Sequence, residues 1–116
     1  MAEDVAAQAR AIIEANAYMT LATADGEGLP WATPVWYAPE SHLSLLWISR
    51  PEARHSVNLA RRPELGIAIF DSRQPAGTGH GVYMGATATE RSLPRHKWSP
   101  QKFPTICWPS TRPSSG

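Results

Sequence analysis

The chain has 116 residues, a formal net charge of +1, 42% hydrophobic residues and a single cysteine, a size that one compact domain fills without room for a second. Its longest apolar runs are broken every few residues by Arg, Glu, Gly or Pro, short of the roughly 18–20 apolar residues that a membrane span needs, and the opening MAEDVAAQAR is acidic where a secretory signal starts basic. Cys107 alone excludes an intramolecular disulfide and a cysteine metal site, so a reducing cytoplasmic setting is the expectation.

The near-neutral total hides two compositions. Residues 1–90 carry six arginines and ten carboxylates, a net of −4, whereas residues 91–116 carry five basic groups, no acid, both lysines and five of the eleven prolines. The first stretch reads as the folded domain and the second as a Pro/Ser/basic tail.

In chain order, residues 3–16 place Val5, Ala9, Ile12 and Ile13 on one face at helical spacing, with Glu3 and Asp4 near the positive end of the helix dipole. Tyr18 to Ala24 is β-prone and runs into Asp25-Gly26-Glu27-Gly28, a turn sequence that predicts a hairpin with Pro30 to Ala38. Pro30 and Pro34 cannot donate ladder hydrogen bonds, which predicts an edge or irregular strand. Pro39 to His42 reads as a turn, and Leu43 to Ser49 as a third strand whose apolar run suggests burial on both faces. Pro51 to Arg62 reads as a short helix, N-capped at Ser49 or Arg50 and stopped by Pro63. Leu65 to Asp71 and His80 to Thr89 give strands four and five, the last with Val82, Met84, Ala86 and Ala88 alternating against Tyr83, Gly85, Thr87 and Thr89. Five short strands and two helices favour a closed or rolled sheet, which protects strand edges.

That order, carried by LATADGEGLPWATPVWY, LLWISRPEARHSVNLARRPELGIAIFD, FDSRQPAGTG and HGVYMGATATE over about residues 10–90, resembles the FMN-binding split β-barrel proteins of the pyridoxamine 5′-phosphate oxidase-like family. The resemblance implies a mainly β (α+β) fold, a split barrel with an N-terminal helix and one short helix between strands. It also implies a homodimer that holds FMN between subunits and transfers hydride to or from a small-molecule substrate.

Particular residues follow from the same resemblance. The family's phosphate clamp at the start of the short helix reads Ser-Arg-Lys-Gly, and Ala53-Arg54-His55-Ser56 stands in its place. On residue type alone Arg54 and His55 fit a solvated helix face. The family pattern instead makes Arg54 a charge-assisted phosphate ligand at a helix N-terminus, with His55 and Ser56 beside it. Thr33-Pro34-Val35-Trp36 occupies the strand whose backbone runs along the flavin ring, Ser49 is the hydrogen-bonding member of the next ring-contacting segment, and Trp47 reads as core. His80 falls where the family reaches flavin across the dimer interface with glutamine. The oxidases have arginine at the position of Thr33 and lysine near that of Ala38, so two phosphate-binding charges are missing here.

Two readings stand beside FMN: a deazaflavin-dependent reductase of the same fold, and a non-catalytic flavin- or haem-binding module or inactive fragment. His42, His55, His80 and His96 show no metal spacing, Gly77-Thr78-Gly79-His80-Gly81 lacks the lysine of a phosphate loop, and the acidic body argues against nucleic acid. Residues 91–116 show neither helical nor strand period and are expected to be disordered. Family members continue past Glu90 with a helix and at least one further strand, neither recognisable here, so a frameshift or truncated gene model after Glu90 that leaves the barrel incomplete is the expectation, with a genuine flexible basic tail or an expression scar as the rival readings.

Overall fold

A computed structural model describes residues 2–41, 44–90 and 104–108. Its elements are α1 (Ala2–Ala15), β1 (Tyr18–Ala24), β2 (Pro30–Trp36), β3 (Ala38–Ser41), β4 (Ser44–Ile48), α2 (Arg54–Arg61), β5 (Glu64–Phe70), β6 (Gly81–Glu90) and β7 (Pro104–Trp108). The strands form one antiparallel sheet in the order β2-β1-β5-β6-β7-β4-β3. The sheet curls so that its two end strands, β2 and β3, follow one another in the chain with Tyr37 alone between them, and β2 also touches β4.

Alternation along the strands supplies the interior. Met19 and Leu21 of β1, Val35 of β2, Leu45 and Trp47 of β4, Leu65, Ile67 and Ile69 of β5, and Val82, Met84 and Ala86 of β6 are all buried, one face of each strand as the two-residue period requires. The helix α1 lies against β5 and β6 through Ala9 and Ile13, with Ile12 partly covered. Val5, expected on the same face, is exposed because the helix meets the barrel through its second half. The buried Tyr37 hydroxyl donates to the Ile13 carbonyl at 2.6 Å, which ties the end of α1 to the β2–β3 junction, and burial pushes the phenol pKa up to about 12. Among the described residues no helix is long and apolar enough to cross a membrane.

The hairpin forms where the turn sequence places it. Asp25 Oδ1 accepts from the amides of Glu27 at 2.8 Å and Leu29 at 2.9 Å, and Gly28 takes a φ of 87° that an L side chain rarely adopts. The prolines of the next strand sit where expected, Pro30 at its start and β2 at the end of the sheet, but the strand is regular rather than irregular, since β2 pairs with β1 in unbroken register from Pro30↔Ala24 to Trp36↔Tyr18. Pro30 and Pro34 lie four residues apart and so share one hydrogen-bonding parity, the one at which an end strand turns its N–H away from its neighbour.

Four further boundaries differ from the sequence reading. Pro39 to His42 was expected as a turn and Ala38 in the strand before it, but Ala38–Ser41 forms β3, whose register with β4 shifts between Pro39 and Ser41. Pro39 is accommodated because β3 is the other end strand, and Ser44 Oγ donates to Glu40 Oε1 across the irregularity at 3.1 Å. The third expected strand is fully buried on the Leu45 and Trp47 face only, the other face running from buried Ser44 through half-buried Leu46 to exposed Ile48. The short helix starts at Arg54 with Ala53 as N-cap, not Ser49 or Arg50, because residues 51–53 are spent in a turn closed by the Ala53 amide on the Arg50 carbonyl. Finally, the tail reading foresaw no strand, yet residues 104–108 pair with both β4 and β6 as β7. Pro104 stands first in that strand and Pro109 follows its last residue, so the prolines bound a β-prone Thr-Ile-Cys-Trp segment instead of interrupting it. His42 and the remainder of 91–116, including His96, lie outside the described residues.

Candidate functional site

The helix α2 packs on β1 and β2 and is fastened to their hairpin by side chains from its inner face. Asn58 Nδ2 donates to Thr23 Oγ1 at 3.0 Å, and that hydroxyl donates onward to the Trp31 carbonyl at 3.5 Å. At the end of the helix Arg62 Nη2 donates to the Gly26 carbonyl at 3.2 Å. Between helix and hairpin lies a groove of about 340 Å³ whose apolar walls are Leu29, Trp31 and Val57 and whose polar ones are Asp25, Glu52, Arg54 and Asn58.

Arg54 begins α2 and carries its guanidinium carbon 4.4 Å from the centroid of the Trp31 ring, a cation–π arrangement. No hydrogen bond or ion pair engages its N–H groups among the described residues. The amides of Leu29 and Glu27 hold the Asp25 carboxyl below its ordinary pKa, and the nearby Arg54 charge adds to this. Ala53 offers α2 no side-chain cap, so among the described residues the first-turn amides of the helix have no capping side chain at Ala53, beside an arginine whose N–H groups have no acceptor there.

The other sequence-derived candidates divide between neighbouring places. Ser56, in the first turn of α2, shares a hydrogen bond of 2.9 Å with Ser49, which follows β4. His55, between Arg54 and Ser56, turns into the protein and is 6% exposed; burial pulls its pKa below the ordinary 6.5 and keeps the imidazole neutral at pH 7. On β2, Val35 joins the core while Pro34 and Trp36 face outward and Thr33 is half-buried. The four residues therefore present one backbone but two faces. Trp47 is core, as expected. His80 is exposed at the end of the loop before β6, and no hydrogen bond joins it to the β2–α2 group.

Three buried polar atoms have no hydrogen-bond partner among the described residues: Thr33 Oγ1, Trp47 Nε1 and His55 Nε2. Each such group costs about 1–3 kcal/mol; the three lie on β2, β4 and α2, and none of them lines the groove. Two contributors escaped sequence reasoning. Trp31 supports Arg54 and Asn58 anchors the helix; the signal for Asn58 was its position at i+4 from Arg54, on the same helical face.

Comparison with known proteins agrees with this architecture. A sequence profile described as pyridoxamine 5′-phosphate oxidase matches residues 5–98. Among solved structures the fold is similar to the haem storage protein HutZ of Vibrio cholerae, at 15% identity and a TM-score of 0.75 over 97% of this chain and 92% of that one. It is similar also to an FAD-binding protein of Mesorhizobium loti, at 16% identity and 0.77 over 95% and 90%, and to an F420 reductase, at 15% identity and 0.71 over 90% and 94%. Curated proteins yield no match. Among the described residues, seven antiparallel strands rolled around one core, with an N-terminal helix and a short helix after β4, join a profile match over most of the chain in one conclusion: the chain belongs to the pyridoxamine 5′-phosphate oxidase family and has its split-barrel fold.

Proposed function

We propose that this protein binds a phosphorylated flavin, FMN in the first instance, with the phosphate at the N-terminus of α2 and the ring along β2, and that it serves flavin-mediated hydride transfer on a small molecule. The observation that carries this reading is the uncapped start of α2 combined with Arg54, whose N–H groups have no acceptor among the described residues. A helix N-terminus favours an anion through its unpaired amides and dipole, and a guanidinium adds charge-assisted, bidentate hydrogen bonds. Ser56 and Ser49 lie within the same turn region and offer hydroxyls.

Thr33 Oγ1 and His55 Nε2 are buried without partners among the described residues, on the two elements along which this reading lays the ring and the phosphate. The neutral state of His55 makes it a hydrogen-bonding group rather than a second cation. When bound, the flavin supplies the redox chemistry itself. This chain's part is to hold the phosphate with Arg54 and Ser56, to run the Thr33–Trp36 backbone beside the ring, and to contribute His80 to the site of a second copy.

The homodimer in this reading is supported by the outer face of the β2-β1-β5-β6 sheet. Trp36 and Tyr18 are cross-strand neighbours and are 60% and 63% exposed, and Phe70 and Tyr83 are exposed on the same side of β5 and β6. Tyr83 folds back over Gly81, where an added Cβ would come within 2.8 Å of its hydroxyl. Clustered exposed aromatics mark an interaction surface more often than a solvated one.

Titration of the purified full-length chain with FMN, a deazaflavin cofactor and haemin, followed by absorbance and by thermal stability, tests the reading. FMN saturation with a raised melting temperature is expected. Saturation by the deazaflavin or haemin with no response to FMN would replace it with the corresponding alternative, each of which has a structural neighbour. No response to any of the three would identify a module without a redox cofactor.

A further inference from the structure

The groove beside α2 contains an arginine whose guanidinium lies over a tryptophan ring. A stacked guanidinium is engaged through its π surface, whereas phosphate is bound through the N–H edge, so the two contacts do not compete. Arg54 places its guanidinium carbon over the Trp31 ring, 4.4 Å from the centroid, within reach of that attraction. The Asp25 carboxylate is near enough for the two charges to interact, yet it forms no ion pair with Arg54 among the described residues.

The platform is fixed to the helix that carries the arginine. Asn58 lies one turn after Arg54, donates to Thr23 at 3.0 Å, and Thr23 donates to the carbonyl of Trp31 itself. Asn58 and Thr23 are each 4% exposed, so this relay is dry and sets the separation between the start of α2 and the Trp31 backbone. An unsupported arginine loses much side-chain freedom when it binds a ligand, and that loss weakens binding. A ring that already restricts the rotamers removes part of the cost before the ligand arrives.

Building on the phosphate site proposed above, we infer that Trp31 is a positioning residue that pre-orders Arg54 for a phosphate monoester, with the Asn58–Thr23 relay fixing the distance between ring and helix. The specificity consequence is that Trp31 contributes to binding of flavins that carry the phosphate and contributes nothing to those that lack it.

Riboflavin, which has the flavin ring without the phosphate, is the discriminating probe. Dissociation constants for FMN and riboflavin are measured by flavin fluorescence on the full-length wild type, Trp31→Leu, Trp31→Phe, Arg54→Ala and the double variant Trp31→Leu/Arg54→Ala. Trp31→Leu is expected to weaken FMN about two- to fivefold and to leave riboflavin unchanged. Trp31→Phe keeps a weaker ring attraction and falls between, and it carries the test alone if the leucine variant does not fold. In the Arg54→Ala background the Trp31 change is expected to have no further effect.

Equal weakening of both flavins would show a structural role for Trp31 and overturn the inference, as would unchanged FMN affinity or an undiminished effect in the double variant. If Arg54→Ala leaves the ratio of the two constants at its wild-type value, the phosphate site itself is refuted. That outcome is separate from a failure of Trp31 alone.

Discussion

Asn58 donates to the hydroxyl of Thr23 at 3.0 Å across the boundary between α2 and β1, and both side chains are 4% exposed. This bond is the dry anchor of the helix that bears Arg54. Replacing Asn58 with Leu leaves Thr23 without its donor in a buried place and is expected to cost about 1–3 kcal/mol of stability. Urea denaturation reads this directly. Because the two groups share one interaction, Thr23→Val with Asn58→Leu should cost less than the sum of the single changes; strict additivity would show that the bond contributes nothing.

His55 gives the fold an acid-sensitive point. Its buried imidazole has a pKa held below 6.5 by desolvation, whereas in the unfolded chain it takes up a proton near pH 6.5. The unfolded state therefore binds more protons as pH falls below that value. The contribution of a neutral His55 is complete above pH 6.5 and is lost progressively as pH drops toward the folded-state pKa. Asp25 and Asp71 have depressed values, Asp71 to about 2, so they act in a separate and more acidic window. Urea midpoints at pH 7.5 and pH 5.5 should fall less in His55→Gln than in the wild type, and equal slopes would refute the assignment.

The strand β7 joins two parts of the sheet that would otherwise each end in a free edge, β6 on one side and β4 on the other. A chain ending at Glu90 exposes both edges, and unpaired edges template association. Such a truncated chain is expected to lose its cooperative thermal transition and to sediment as aggregates. A truncated chain that melts cooperatively at the full-length temperature would show that β7 adds no stability.

The exposed aromatic pair Trp36 and Tyr18 yields a prediction about assembly. If a second copy covers the outer face of the β2-β1-β5-β6 sheet, Trp36→Glu places a charge in an apolar contact and converts dimer to monomer in sedimentation equilibrium, with the far-ultraviolet spectrum unchanged. A wild type that is monomeric at micromolar concentration, or a Trp36→Glu protein that remains dimeric, contradicts this.

Much of the fold was legible because alternation and turn chemistry are local. Asp25 to Gly28 announced the hairpin, and Val82, Met84 and Ala86 showed which face of β6 turns inward. What escaped depended on partners distant in sequence. Pro39 suggested a turn, but an end strand tolerates proline, and only the sheet order reveals that β3 is one. Residues 104–108 looked too proline-rich for a strand because the register that places their prolines at its boundaries is set by β4 and β6, more than a dozen residues away. At the candidate site, the stretch Arg54 to Ser56 was visible as a pattern, but burial of His55 between two accessible neighbours follows from helical phase against the barrel. The Arg54–Trp31 stack joins residues 23 positions apart, and no local pattern encodes it.

In the proposed function Arg54, at the start of α2, holds a flavin phosphate. The most direct measurement is the ratio of the dissociation constants for riboflavin and FMN in the wild type and in Arg54→Ala. The account predicts that the wild type favours FMN and that Arg54→Ala weakens FMN by about tenfold or more while riboflavin affinity stays the same. An Arg54→Ala protein that binds FMN as the wild type does, or one that loses both ligands equally, would contradict it.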